Sequence, residues 1–234
     1  MTKSSAARVT EPAFDPIARE TLQERVYRAL RKALMLGRFA PGQALTVQEL
    51  AVRFNTSAMP VREALARLVS EQALETASNR SVRVAPLDAA RLADVAQARR
   101  LVEGAALELA APRLTPADLS ALTRANEAHA RIDHRRGPLA VDALIEANFA
   151  FHFLIYNACG SPAILRIVEG LWLQSGALVR SAVEQLKPDD RSPAHFHTRI
   201  VDALALRDVA AAKAALADDI GRAFALVSAR LAEA

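Results

Sequence analysis

Cysteine is almost missing from this 234-residue chain. Cys159 stands alone, so no internal disulfide can form, and a reducing cytoplasm suits the composition. The thiol falls in the apolar run FHFLIYNACG, where a small buried residue is expected and a catalytic one is not. No unbroken stretch of 18 apolar residues occurs, so no membrane partner is expected. The first residues, MTKSSAARVTEPAFDP, lack the apolar core of a signal peptide, and residues 1–19 read as a disordered lead-in. HExxH, the spacing that ties a general base to two metal ligands, is also missing, which weighs against a metal-dependent hydrolase.

What is present begins with VQELAVRFNTSAMPVREALARL, residues 47–68. Leu50, Ala51 and Phe54 share one helical stripe, and Val61, Leu65 and Leu68 share a second. Between them Asn55-Thr56-Ser57 supplies turn chemistry: Asn tolerates the left-handed conformation, and Ser57 is placed to cap the next helix. Pro60 sits in the first turn, where its missing N–H is harmless. The spacing predicts a helix-turn-helix, which lays its second helix in the major groove of DNA. Upstream, Leu22 to Leu36 places Leu22, Val26, Ala29, Leu30, Ala33 and Leu34 on one helical face, with Gly37 as its stop and Pro41-Gly42 as a turn. Downstream, Glu75-Thr76-Ala77 and Val82-Arg83-Val84 bracket the turn-rich Ser78-Asn79-Arg80-Ser81, a predicted hairpin. Helix, helix-turn-helix and wing make a winged helix over residues 20–86.

GRFAPGQALTVQELAVRF, then PVREALARL, then a wing resembles the N-terminal domain of the GntR family of bacterial transcription regulators. Charge is consistent with double-stranded operator DNA as partner: residues 1–86 carry 13 Lys and Arg against 8 Asp and Glu, while residues 87–234 carry 17 against 18. On the matched positions the resemblance implies that Arg62 reaches a guanine edge or phosphate, that Ser57 and Met59 face the groove, and that Gln48 touches DNA from the preceding helix. Arg80 and Ser81 would form the wing tip. Ala58 stands where the family usually has Arg, and Ser81 where it usually has Gly, so the operator sequence is expected to differ.

From Leu87 onward no segment alternates as a strand would. Prolines at 112, 116, 138, 162, 188 and 193, with a turn near Asp208, delimit about six helices near 88–111, 115–136, 139–158, 161–187, 193–206 and 208–232. The expected fold is thus mainly α: a winged helix-turn-helix followed by an all-α antiparallel bundle of about six helices, residues 87–234. The runs ARRLVEGAALELAA, NFAFHFLIYNACGSP and HTRIVDALALRDVAAAKAAL resemble three successive signatures of the FCD effector-binding domain. That domain follows the winged helix in the FadR-like branch; six helices would bring the chain nearer the VanR-like group.

Asn148 and His152 are four apart and project together from a helix. The FCD pattern has an Asp, a His four residues on, and two later His residues. Aligned on it, His152 and His197 keep His positions, Asn148 replaces the Asp, and Asp219 replaces the last His. The resemblance therefore implies a divalent metal ion (zinc, nickel or manganese) at Asn148, His152, His197 and Asp219. With a neutral amide at 148, weaker binding is expected. The family also implies a small organic acid as effector, gripped by the guanidinium of Arg99, with Arg100 as second choice. His129, His134 and His195 are expected to face solvent. Together these features predict a cytoplasmic, homodimeric regulator, expected to repress, whose operator binding follows the effector. The alternatives are a regulator that senses the metal itself and, further off, a hydrolase drawing on Glu103 or Glu146.

Overall fold

The computed structural model describes residues 21–77, 81–86, 88–133, 137–186 and 193–233. The expected lead-in at 1–19, the wing residue Arg80, and His134 lie outside these. Helix α1 (Leu22–Met35) starts where the Thr21 hydroxyl accepts from the Glu24 N–H at 3.2 Å, and it stops at Gly37, whose φ of 60° needs no Cβ. Val26, Leu30 and Leu34 are buried along it. Helices α2 (Val47–Arg53) and α3 (Ala58–Ser70) flank a turn in which Asn55 takes φ 48°, as its side chain permits. Leu50, Val61, Leu65 and Leu68 are buried between these helices and α1. One local expectation fails: Ser57 occupies the cap position of α3, but its side chain makes no capping hydrogen bond.

The wing is an antiparallel sheet of β1 (Ala44–Leu45), β2 (Leu74–Thr76) and β3 (Val82–Val84), in the order β1-β3-β2. Leu74 pairs with Val84 and Thr76 with Val82, while Ala77 N–H donates to the Ser81 carbonyl at 2.9 Å. Strand β1 was not expected. Two residues cannot show an alternation, and its identity comes from pairing Leu45 with Val82 across the sheet.

Six helices build the bundle: α4 (Ala89–Ala110), α5 (Pro116–Ala130), α6 (Pro138–Asn157), α7 (Pro162–Glu184), α8 (Pro193–Ala205) and α9 (Val209–Glu233), with a 3-10 turn Ala111–Arg113 after α4. Four of them open on proline, the residue best suited to a first helical position. Thr115 and Asp118 cap α5 reciprocally. Helix α5 ends at Ala130, before the expected 136. Helix α6 corrects the membrane argument in one respect. It is long and apolar enough by composition to cross a bilayer, with a mean hydropathy of 1.4, even though polar residues interrupt its apolar runs. In the fold it is a core helix that buries Ile145, Phe151, Ile155 and Tyr156.

The winged helix packs directly on the bundle. Gly37 and Gly176 let the end of α1 press against α7 backbone to backbone, and Leu36 packs with Val141 and Ile145 of α6.

Candidate functional site

Three bundle helices bring ligand-type side chains together in an otherwise apolar centre. His152 from α6, His197 from α8 and Asp219 from α9 place one ligand atom each within 4.8 Å of one another. The Asp219 Oδ2 lies 3.1 Å from His152 Nε2 and 3.8 Å from His197 Nε2. All three residues are buried, so water does not settle their polarity. Asn148, one turn before His152, lines the same cavity.

Hydrogen bonds satisfy this polar centre only in part. Tyr156 donates its hydroxyl to Glu103 at 2.5 Å, and its oxygen lies 3.3 Å from His152 Nδ1. His152 Nε2 lies 3.1 Å from Asp219 Oδ2, and in the Nε2–H tautomer it donates to that carboxylate. His197 sharpens the point: both its ring nitrogens are buried without a hydrogen-bond partner, and the ring stacks on Phe151 at 3.9 Å. Burial holds the His197 imidazole well below its ordinary pKa, so it is neutral with a lone pair to give. Burial also pushes the Asp219 carboxyl up, but the hydrogen bond with His152 and the electrostatic pull of the neighbouring rings and Arg222 outweigh it and keep it below the usual range. A neutral His197 beside an ionised Asp219 is the state in which such groups bind a divalent ion. The donors present therefore fit a metal.

One sequence expectation is corrected here. His129 does not face solvent. It ends the last turn of α5, is 1% exposed, and stands with its ring centre 5.0 Å from that of His197. Its charged neighbours in sequence belong to the loop, while its own side chain turns into the core. Arg100 is exposed and does not line the cavity; its guanidinium lies beside Gly221 instead. Arg99 does line the cavity, but it is already engaged. Its Nε donates to Glu103 at 2.6 Å and its Nη2 at 3.3 Å, and its guanidinium lies 4.6 Å from the Trp172 ring. The ion pair overcomes the burial that would otherwise lower its pKa, so Arg99 stays charged and matched to Glu103. Arg222, three residues after Asp219 on α9, is a second guanidinium on the cavity wall, and the sequence reading missed it. His195 is exposed, as its position on α8 predicts. The cavity is small, about 40 Å³ measured at the centre of a water-sized sphere.

At the other end of the molecule, the start of α3 is uncovered. Ser57, Ala58, Met59 and Arg62 are exposed, Met59 to 60%, and Gln48 on α2 is exposed beside them. Arg62 makes no ion pair among the described residues. Arg67, one turn and a half further on, is tied to Glu24 and Glu71 and lies over Tyr27. Ser81, at the end of the wing, is half-buried.

A winged helix whose recognition helix presents an open N-terminal face, seated on a helical bundle with a polar centre, is the architecture of a DNA-binding regulator. Residues 22–84 match the family model for bacterial regulatory proteins of the gntR family, and residues 94–222 match that of the FCD domain. The chain belongs to the GntR family and carries an FCD domain; it is a transcription regulator that binds DNA, not an enzyme. It is 29% identical over 177 residues to the HTH-type transcriptional regulator McbR of Escherichia coli K12, covering 76% of this chain and 79% of McbR. It is 30% identical over 200 residues to the uncharacterized regulator BphR of Paraburkholderia xenovorans LB400, covering 82% and 80%. The solved structure of E. coli McbR/YncC superposes with a TM-score of 0.82 at 27% identity, over 91% of this chain and all of that one.

Proposed function

We propose that this regulator acts in the cytoplasm as a homodimeric repressor of transcription. In this reading a divalent metal ion in the bundle helps to hold a small organic acid, and binding of that acid releases the operator. Residues 20–86 would bind DNA and 87–234 would bind effector and partner. The observation that carries the reading is the cluster of His152, His197 and Asp219, one ligand atom from each within 4.8 Å of the others, with both ring nitrogens of His197 lacking a hydrogen-bond partner among the described residues. Bound there, a metal would supply a Lewis-acid position able to take a carboxylate oxygen. Asn148 would add a neutral oxygen donor from the same face of α6. Arg222 and Arg99 would supply positive potential at the wall, with that of Arg99 largely cancelled by Glu103. Repression is supported by relatives such as the transcriptional repressor GlaR of E. coli K12, 28% identical over 155 residues. Two recognition helices in a dimer would read half-sites in adjacent turns, through Arg62, Ser57, Met59 and Gln48, with Arg80 and Ser81 at the wing tip.

A physical route links the two ends. Helix α6 carries Asn148 and His152 and, earlier along it, Glu146 and Asp142, both paired with Arg38 just after α1. Arg180 of α7 binds Asp142 and donates to the Gly37 carbonyl. Val183 of α7 lines the cavity and also packs on the Leu36 cluster. A ligand that widens the cavity would therefore shift the surfaces on which the winged helix rests, provided it binds the two arrangements unequally.

The size of the cavity favours a second reading in which the ion alone is the signal. About 40 Å³ admits an ion with a few waters, and a larger acid requires the helices to part. Both readings are tested with a duplex selected from random DNA by the protein. Fluorescence anisotropy then follows its release by zinc alone and by zinc with a panel of small carboxylates. Release that needs an acid, and is lost in His152→Ala, supports the first reading; release by zinc alone supports the second. A wild-type complex indifferent to both removes the metal-dependent account.

A further inference from the structure

We infer that His129 is a further donor to the metal, so that the site is made of three imidazoles and one carboxylate from four helices. The inference rests on the metal reading above and extends it to a residue on α5, a helix that contributes nothing to the His152, His197 and Asp219 cluster.

The case begins with burial. His129 is 1% exposed, and neither ring nitrogen has a hydrogen-bond partner among the described residues. A buried polar group without a partner is disfavoured, and two unpartnered nitrogens on one ring call for a ligand. The ring lines the same cavity as His152 and Asp219.

Geometry gives the second, independent support. Two imidazoles bound to one tetrahedral ion at about 2.0–2.1 Å have ring centres on the order of 5 Å apart. The centres of His152 and His197 are 5.0 Å apart, and those of His129 and His197 are also 5.0 Å apart. The His129 ring is tilted 31° from the plane of His197. Its ligand atom is outside the 4.8 Å cluster, so the ring must turn about its own side-chain bonds to join. No hydrogen bond to a ring nitrogen holds it back. Asn148 offers only a neutral amide oxygen, so a third imidazole is the stronger donor available to a zinc-like ion.

The test uses the full chain, with zinc affinity measured by competition against a chromophoric chelator and cobalt as a spectroscopic probe. His129→Leu is expected to weaken zinc on the order of 10- to 100-fold and to change the visible cobalt bands. Its metal-free melting temperature should hold or rise, because an unpartnered imidazole has been replaced by an apolar side chain. His129→Cys keeps a donor and should show a sulfur-to-cobalt charge-transfer band that wild type lacks. Wild-type zinc affinity in His129→Leu, with no charge-transfer band in His129→Cys, would overturn the inference; if His152→Ala then still loses zinc, the three-residue metal reading survives it. A wild-type protein that takes up neither zinc nor cobalt would overturn both.

Discussion

Gly176 of α7 lies directly under the Leu34 carbonyl at the end of α1, with no room for a Cβ between them. The contact joins the winged helix to the bundle through main chain, so it transmits displacement with little slack. Gly176→Ala must push α1 away, and overpacking of this kind costs about 1–3 kcal/mol. A lower melting temperature is expected, together with weakened coupling between effector and operator binding. Thermal melts and anisotropy with and without zinc read both. A variant with wild-type stability would mean that the two parts separate without cost.

Glu103 is the counter-charge of a buried guanidinium. Its removal in Glu103→Ala strands Arg99, which is 3% exposed, and a lone buried charge costs about 3–5 kcal/mol. Adding Arg99→Met should recover most of that loss in urea unfolding. If the single and double variants are equally destabilised, the pair is not the unit described.

Arg62 tests the DNA face. Exposed and without an ion pair among the described residues, it is free of a structural duty that would confuse the result. Arg62→Ala should fold normally and bind the selected duplex about 10-fold or more weakly. Where the contact is to phosphate, the log–log salt slope should fall by about one. Unchanged affinity and slope would remove Arg62 from the interface.

Acid should destabilise the metal-free protein in a defined window. His129 is held to a pKa of about 4 in the fold and His197 well below its normal value, both by burial, against 6.5 when unfolded. Below pH 6.5 the unfolded chain takes up protons that the folded chain refuses. Stability is therefore full above that pH and falls as pH drops toward 4. His129 accounts for at most about 3 kcal/mol of it. Asp219, kept below 3.8, adds its own loss only at still lower pH. Urea midpoints at pH 7.5, 6 and 5 should decline, and His129→Leu should flatten the decline. Midpoints that rise on acidification would contradict the neutral state of these rings.

The parts of this molecule written as periodic patterns were legible. Leu50, Val61, Leu65 and Leu68 announced α2 and α3, and the prolines marked helix starts in the bundle to within a few residues. His152, His197 and Asp219 were found by alignment to a pattern, and the fold brings them together. His129 was misread because the charged run RIDHRRGP follows it in sequence, whereas α5 runs to Ala130 and turns that one side chain inward. The partner of Arg99 was within reach, since Glu103 is four residues on; what could not be read was that the pair is sealed in the core beneath Tyr156 and Trp172. Strand β1 exists only through its neighbour, and nothing local encodes it.

The metal is the centre of the account, and elemental analysis of untagged protein, purified without chelators and dialysed against zinc, nickel or manganese, tests it most directly. The account predicts close to one ion per chain, lost in His152→Ala. Wild-type protein free of all three metals would contradict it, and would leave His197 and His129 as buried imidazoles without partners.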